Sequence, residues 1–287
     1  MSDTVIVCDS TAYLPAELIA KHGIRVVSLY VTVGDEQQRE SEIDDYGAFY
    51  QRLRTSGAAT TSQPSIGDFT SVYEPLLADG NEVVSIHLSA GISGTFEAAG
   101  QARDQLAAAG KGGERVHVVD SCSAAGGMGL QVLAGAIAAG KGADAERVRA
   151  RVQEARDGLK MWFAIDTLEY LRRGGRIGLA RAWLGAALRI KPILTLEEEI
   201  TPIERVRTRA RAVERLRDYA AQRHESGADA WVVQHIQDAE AAGELVGHCR
   251  ELFGREAVFT SEVGPVIGAH IGPGLLGVGS VPVSVLE

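Results

Sequence analysis

Val83-Val84-Ser85-Ile86-His87-Leu88 is an apolar-rich run that stops at Ser89-Ala90-Gly91-Ile92-Ser93-Gly94-Thr95, after which the pattern turns helical. A short apolar run closed by small and hydroxyl residues reads as a buried strand, a turn and a helix start. The same order recurs at Val116-His117-Val118-Val119, where the turn is Asp120-Ser121-Cys122-Ser123. It also occurs at Val5-Ile6-Val7, where the turn is Cys8-Asp9-Ser10-Thr11. From Val83 to Gly140 the chain reads strand, turn, helix, strand, turn, helix. This is βαβ grammar and predicts a mostly parallel sheet. In such a sheet the turns gather at the carboxyl edge of the strands, where open sheets bind ligands. Hydroxyls, backbone amides and helix N-termini together suit an anionic head group such as carboxylate or phosphate.

Working outward, the first 34 residues read strand, helix, strand, with Val5–Val7, Pro15–His22 and the apolar run Ile24–Val33. Gly34-Asp35-Glu36-Gln37-Gln38-Arg39-Glu40 reads as a polar turn. Tyr46, Phe49, Tyr50 and Leu53 recur at helical spacing and predict a helix from about Asp44 to Thr55, with the aromatics as its packing face. Thr60-Thr61-Ser62-Gln63-Pro64-Ser65 reads as a loop, with Ser65 placed to cap the next helix. After Gly140 the texture changes. Helices are expected at Ala145–Gly158, Ala210–His224 and Glu240–Phe253. Strands are expected at Met161–Ile165, Arg189–Leu196, Glu199–Arg207, Ala230–His235, Ala257–Glu262 and in the Gly277–Leu286 run. Strands and helices mix there without strict βαβ order. The expected fold is therefore an N-terminal three-layer α/β domain, residues 1–158, followed by a C-terminal α+β domain, residues 159–287.

Composition narrows the function. Of 287 residues, 45% are hydrophobic and 23% charged, which describes a soluble globular chain and not a disordered one. The net charge of −9 argues against bulk nucleic-acid binding. The smooth apolar stretch from Met128 to Gly140 is too short to span a bilayer. Met1-Ser2-Asp3-Thr4 leads straight into a strand with no signal-peptide pattern, and Cys8, Cys122 and Cys249 are scattered. Both features predict a cytoplasmic chain with reduced thiols. No paired ligand spacing exists for a metal, and no G-x-x-x-x-G-K-[ST] motif for ATP.

Several motifs have a functional and a plain reading. Gly91-Ile92-Ser93-Gly94-Thr95 comes close to the nucleophile elbow G-x-S-x-G but carries Thr95 at its fifth position. It reads as hydroxyl and amide donors for an anion, as a simple helix-capping turn, or as the nucleophile turn of an esterase or phosphotransferase built on Ser93. Gly272-Pro273-Gly274-Leu275-Leu276-Gly277 formally matches G-x-G-x-x-G, but it opens no βαβ unit and the chain ends ten residues later. A nicotinamide or flavin site is rejected, and no cofactor is expected. His270, among those glycines, reads as a hydrogen-bond partner for a ligand; His87, within a strand, reads as structural. Between Lys160 and Arg217 stand 13 Lys and Arg against 7 Asp and Glu, a local reversal in an acidic chain. Arg172, Arg173 and Arg176 lie in one basic turn. Arg205, Arg207, Arg209 and Arg211 alternate as along a strand edge. Such a face is either simply solvated or a docking surface for an acidic partner or a phosphate.

Taken in order, these segments resemble the DegV family of bacterial fatty-acid-binding proteins. The resemblance rests on Val7-Cys8-Asp9-Ser10-Thr11, Thr61-Ser62-Gln63-Pro64-Ser65, Ser93-Gly94-Thr95 and Val119-Asp120-Ser121. It continues through Asp166-Thr167-Leu168-Glu169-Tyr170-Leu171, Gly174-Gly175-Arg176-Ile177, Lys191-Pro192-Ile193-Leu194, Arg207-Thr208-Arg209 and His270-Ile271-Gly272-Pro273-Gly274. It implies two domains with a long-chain fatty acid buried between them, and a non-catalytic protein that presents the acid to a separate fatty-acid kinase. It further implies that Thr61 and Ser93 bind the carboxylate and His270 assists, with Ser62, Gly94 and Thr95 in support. Arg172, Arg173, Arg176, Arg207 and Arg209 would face the kinase, away from the acyl chain. The chain departs from the family pattern at Ala90, where serine is common, and at Cys8, where threonine is common; the Ala90 change is expected to weaken the hydroxyl cluster, with Ser89 remaining beside it.

Overall fold

The computed structural model describes residues 3–56, 59–184 and 190–287. In chain order the elements begin β1 (Thr4–Asp9), α1 (Ala16–His22), β2 (Arg25–Val27), β3 (Tyr30–Val33), β4 (Glu36–Arg39), α2 (Tyr46–Ser56), β5 (Thr60–Ser62) and α3 (Ile66–Ala78). Next come β6 (Glu82–His87), α4 (Thr95–Ala108), β7 (Val116–Asp120), α5 (Ala125–Gly140) and α6 (Ala145–Gly158). The remainder is β8 (Lys160–Ala164), α7 (Glu169–Arg173), β9 (Lys191–Glu197), β10 (Glu199–Val206), α8 (Arg209–Glu225), β11 (Ala230–His235), α9 (Ala239–Phe253), β12 (Phe259–Glu262), α10 (Pro265–Ile271) and β13 (Leu276–Val281).

The βαβ reading produces a four-stranded, all-parallel sheet in the order β2-β1-β6-β7. Strand alternation sends successive side chains to opposite faces. Val7 and Val83 pack under Phe69, Tyr73 and Leu77 of α3 and Ala98 and Ala102 of α4. Ile6, Cys8, Val84 and Ile86 face α5 and α6. Both faces are covered, which is why β6 reads as a continuous apolar run. Every strand of a second, six-stranded sheet follows Gly158, in the order β10-β9-β8-β13-β11-β12, antiparallel except for β11 with β12. Helices α8 and α9 cover one face of it through Leu216, Tyr219, Leu245 and Phe253. Its other face joins the core that α5 shares with the first sheet. The small residues of α5 make this possible: a Cβ at Gly129 would press on Phe259 and the Ala12 carbonyl, and one at Gly126 on Gln234 and Val232. The alanines and glycines of α5 serve close packing between two sheets.

Several expectations are corrected. The Ile24–Val33 run divides between two sheets: β2 joins the parallel sheet and β3 a separate antiparallel one, β4-β3-β5. The polar turn at Gly34–Glu40 is confined to Gly34-Asp35, and Glu36–Arg39 pairs with β3 as a hairpin strand. The loop at Thr60–Ser65 begins as β5, with Thr61 opposite Val31. Neither strand carries an apolar alternation; pairing with β3 alone makes them strands. Ser65 does cap α3, and Asp68 closes a capping box. The strand edge at Arg205–Arg211 ends at Val206; Thr208 accepts from the Arg211 amide at 3.2 Å and starts α8. The run after Gly277 forms β13 and then a 3-10 turn over Val283–Leu286, beyond Pro282. Of the strand expected from Arg189, Arg189 itself lies outside the described residues. Among the described residues no helix is long and apolar enough to cross a membrane, and no cluster of metal-binding side chains occurs.

Candidate functional site

A cavity of about 330 Å³ lies between the two sheets. Leu29, Leu88 and Ile92 line it from the first half of the chain, with Ala124 and Ala125 at the start of α5. Met161, Phe163, Leu196, Ile200, Val232 and Leu275 line it from the second half, together with Val266, Ile267 and Ile271 around α10. In the register of the six-stranded sheet, Gly277 sits between Phe163 and Gln234, and Gly279 between Met161 and Val232. The two glycines leave a side-chain-free strip down β13 along the cavity wall. A 150 Å³ cavity with such aliphatic walls already stays dry and takes apolar guests; this one is more than twice that size.

A few polar groups stand in this lining. Thr61 Oγ1 lies 2.7 Å from Nε2 of His270. Ser93 Oγ lies 2.9 Å from Thr95 Oγ1 and accepts from the Thr95 amide at 3.3 Å. Gly94 brings its backbone flush against the Gln63 carboxamide, which a Cβ would displace. Ser62, Gln63, Gly94 and Arg176 also line the cavity. Burial, with the nearby Arg176 charge adding to it, holds the His270 imidazole down to about 4, so the ring is neutral at pH 7. Its Nδ1 is buried without a hydrogen-bond partner among the described residues, packed on Gly174.

The glycine motifs explain how the His270 turn is held. Gly272 has φ 77° and ψ 172°, a region essentially reserved for glycine. A Cβ there would strike the Tyr170 ring, and one at Gly274 would strike the Asp166 carboxylate. Thus Asp166–Tyr170 and His270–Gly274, a hundred residues apart in the chain, are two halves of one contact.

The three hydroxyl-rich turns do not converge on the cavity as the sequence led one to expect. In the first, Asp9 accepts from the Thr11 hydroxyl at 2.6 Å and the Leu88 amide at 2.9 Å, and Ser10 donates to Glu40 at 2.5 Å. In the third, Asp120 accepts from the Cys122 and Ala90 amides, and Ser121 donates to the Ser123 carbonyl. In the second, Ser89 does not join a ligand-facing cluster; its hydroxyl donates to the Glu198 carbonyl at 2.5 Å. Of their hydroxyls, Ser93 lines the cavity with Thr95 bonded to it, and the rest tie the sheet edges together. His87 is fully buried between Ser85 and Asp9, as a structural residue would be.

The arginines also separate by place. Arg172 and Arg173 are exposed and paired with Glu169 at 2.6 and 2.7 Å. Arg207 is exposed at the β10–α8 junction. Arg209 is partly buried, ion-paired with Asp238 and bonded to the Gly274 carbonyl at 2.8 Å; its visible work is to brace the His270 turn. Arg176 does not lie away from the cavity: it is part of the lining, with Nε on the Ile92 carbonyl at 3.2 Å. Gln63, Gln234 and Arg176 are cavity residues that the sequence reading did not single out as such, and nothing in their local pattern marks them.

Two packed sheets thus enclose a mostly apolar chamber whose lining includes the Thr61 and Ser93 hydroxyls and the His270 imidazole. Residues 3–283 match the DegV family, described as uncharacterised, and the chain belongs to that family. It is 40% identical over 276 residues to the DegV domain-containing protein SCO2569 of Streptomyces coelicolor, covering 95% of this chain and 96% of that one. A DegV family protein of Thermus thermophilus, solved for its fatty-acid binding, superposes with a TM-score of 0.87 at 34% identity, covering 98% and 99% of the two chains. DegV of Bacillus subtilis, a fatty-acid-binding protein, gives a TM-score of 0.88 at 31% identity over 98% and 100%.

Proposed function

We propose that this chain binds a long-chain fatty acid in the cavity between its two halves, 1–158 and 159–287, and presents the carboxylate to a separate fatty-acid kinase. The observation that carries the reading is the cavity itself: mostly apolar walls with Thr61, His270 and Ser93 among their few polar side chains. Each buried CH₂ of an acyl chain contributes about 0.8 kcal/mol, so the walls supply affinity. An ionised carboxylate cannot be buried without donors. A neutral His270 donating from Nε2 to Thr61 frees the threonine proton for that carboxylate, and Ser93 offers a second hydroxyl. Similarity to the Thermus and Bacillus fatty-acid-binding proteins supports the same ligand class.

The esterase or phosphotransferase reading is less favoured. A serine nucleophile needs a base within hydrogen-bond reach. The partners of the Ser93 hydroxyl are the hydroxyl and amide of Thr95, while His270 faces Thr61. For the kinase step, the exposed basic groups Arg172, Arg173 and Arg207 form the partner-facing surface, with Arg176 in the cavity lining. Complementary surface charge speeds encounter more than it adds affinity. Arg207→Glu is therefore expected to keep palmitate affinity at the wild-type value and to slow acyl-phosphate formation by the cognate kinase. Loss of palmitate binding in that variant, with normal turnover at saturating ligand, would refute the assignment. Absence of palmitate binding by the wild type would refute the carrier reading as a whole.

A further inference from the structure

Helix α10 walls the cavity with Val266, Ile267, His270 and Ile271, yet it is held from the other half of the chain. Oε1 of Glu40 accepts from the Val266 amide at 2.7 Å and from the Tyr13 hydroxyl at 2.8 Å. That hydroxyl accepts in turn from the Ile267 amide at 3.2 Å. Tyr50 donates to the carbonyls of Val263 and Gly264 at 2.7 and 3.0 Å. Glycines flank the helix at Gly264 and at Gly272 and Gly274, the last two at positive φ. This short helix hangs on side chains 213 to 254 residues away, so its place in the cavity wall depends on a few tertiary hydrogen bonds.

We propose that Glu40 is the latch of this wall: its carboxyl group positions α10, and with it His270, and release of that latch governs loading and unloading of the cavity. The inference rests on the fatty-acid reading above. Three donors hold the Glu40 carboxyl: Oε1 accepts from Val266 and Tyr13, and Oε2 accepts from the Ser10 hydroxyl at 2.5 Å. Those bonds favour the ionised form, and burial opposes it. Glu40 is 2% exposed. The groups around it are acids and phenols: Asp9 from β1, Tyr13 from the following turn, Tyr46 and Tyr50 from α2, and Asp44, Asp45 and Glu262 at its outer rim. Burial raises the Glu40 carboxyl from 4.5 to about 7, against the lowering effect of Ser10, Val266 and Tyr13. The phenol of Tyr46 is pushed to about 12 and does not titrate in the same range.

The sign follows from linkage. With α10 closed the carboxyl binds its proton more tightly than when α10 is open and Glu40 meets water. Closure is therefore favoured fully below about pH 4.5, and that advantage is lost as pH rises through about 7. Glu40→Gln keeps the shape and the neutral charge at every pH.

Two readouts on the full chain test the latch: amide-exchange protection of residues 266–271 without ligand, and the release rate of bound palmitate. Between about pH 5.5 and pH 7.5 wild-type protection is expected to fall about tenfold and release to quicken in parallel, both nearly flat in Glu40→Gln. The same slope in Glu40→Gln as in wild type overturns the proposal. A change in protection with no change in release overturns the claim that the latch governs the cavity. Failure of the wild type to bind palmitate defeats the fatty-acid reading, and the protection factors still decide whether Glu40 holds α10.

Discussion

Thr61 and His270 stand 209 positions apart and meet at 2.7 Å because β5 pairs with β3 while α10 packs across it. Their pairing fixes a hydroxyl in the lining of a mostly apolar chamber, and Ser93 places a second one there. Removing a hydrogen-bond donor to a charged group costs about 1.5–3 kcal/mol, or about tenfold to a hundredfold in affinity. Thr61→Ala and Ser93→Ala are each expected to weaken palmitate binding by that factor in a fluorescence-displacement titration, with urea midpoints near wild type. Unchanged affinity in both variants would remove the carboxylate from these hydroxyls. Ser93 and His270 came forward in the sequence from the glycines around them, and Thr61 through motif resemblance alone, since a hydroxyl in a turn carries no local mark of what it will face. Glu40 did not come forward: it closes a run of polar residues, and its burial depends on Val266, 226 positions away.

At the scale of elements, residue chemistry alone made the first sheet legible. Val83–Leu88 is buried on both faces, and Val5–Val7 and Val116–Val119 are buried in part, so their apolar runs announce strands whatever their neighbours. β4 and β5 stayed hidden because a polar strand is defined by its partner, here β3. The Arg205–Arg211 alternation misled because Thr208 caps a helix at its midpoint, and capping chemistry outweighs a period of two across so few residues. The glycine motifs were legible as tight turns, but which segments they join was not. Gly272 offers the sharpest test of that joining. Gly272→Ala places a Cβ in a glycine-only backbone region and against Tyr170, and is expected to cost about 1–3 kcal/mol in urea unfolding. Gly100→Ala, mid-helix in α4 with open space around it, is expected to gain about 0.5–1 kcal/mol. Equal midpoints for the two would mean that the His270 turn is not locked on Tyr170.

Across the whole molecule, the strands of the two sheets divide cleanly at Gly158, yet their cores do not. α5 belongs to both, and the cavity takes its walls from both. Charge follows the same geography. The acidic chain keeps its cationic excess between Lys160 and Arg217, and Arg176 of that stretch lines the cavity. Mostly apolar walls with a few polar groups and one arginine are what the proposed fatty-acid ligand requires.

The most direct test is to ask what the chamber holds. Protein purified natively, without detergent or delipidation, should yield about one long-chain fatty acid per chain on organic extraction and mass spectrometry, because an apolar pocket of this kind buries most of its ligand. Repeated recovery of no fatty acid, together with no uptake of added palmitate or oleate, would contradict the account.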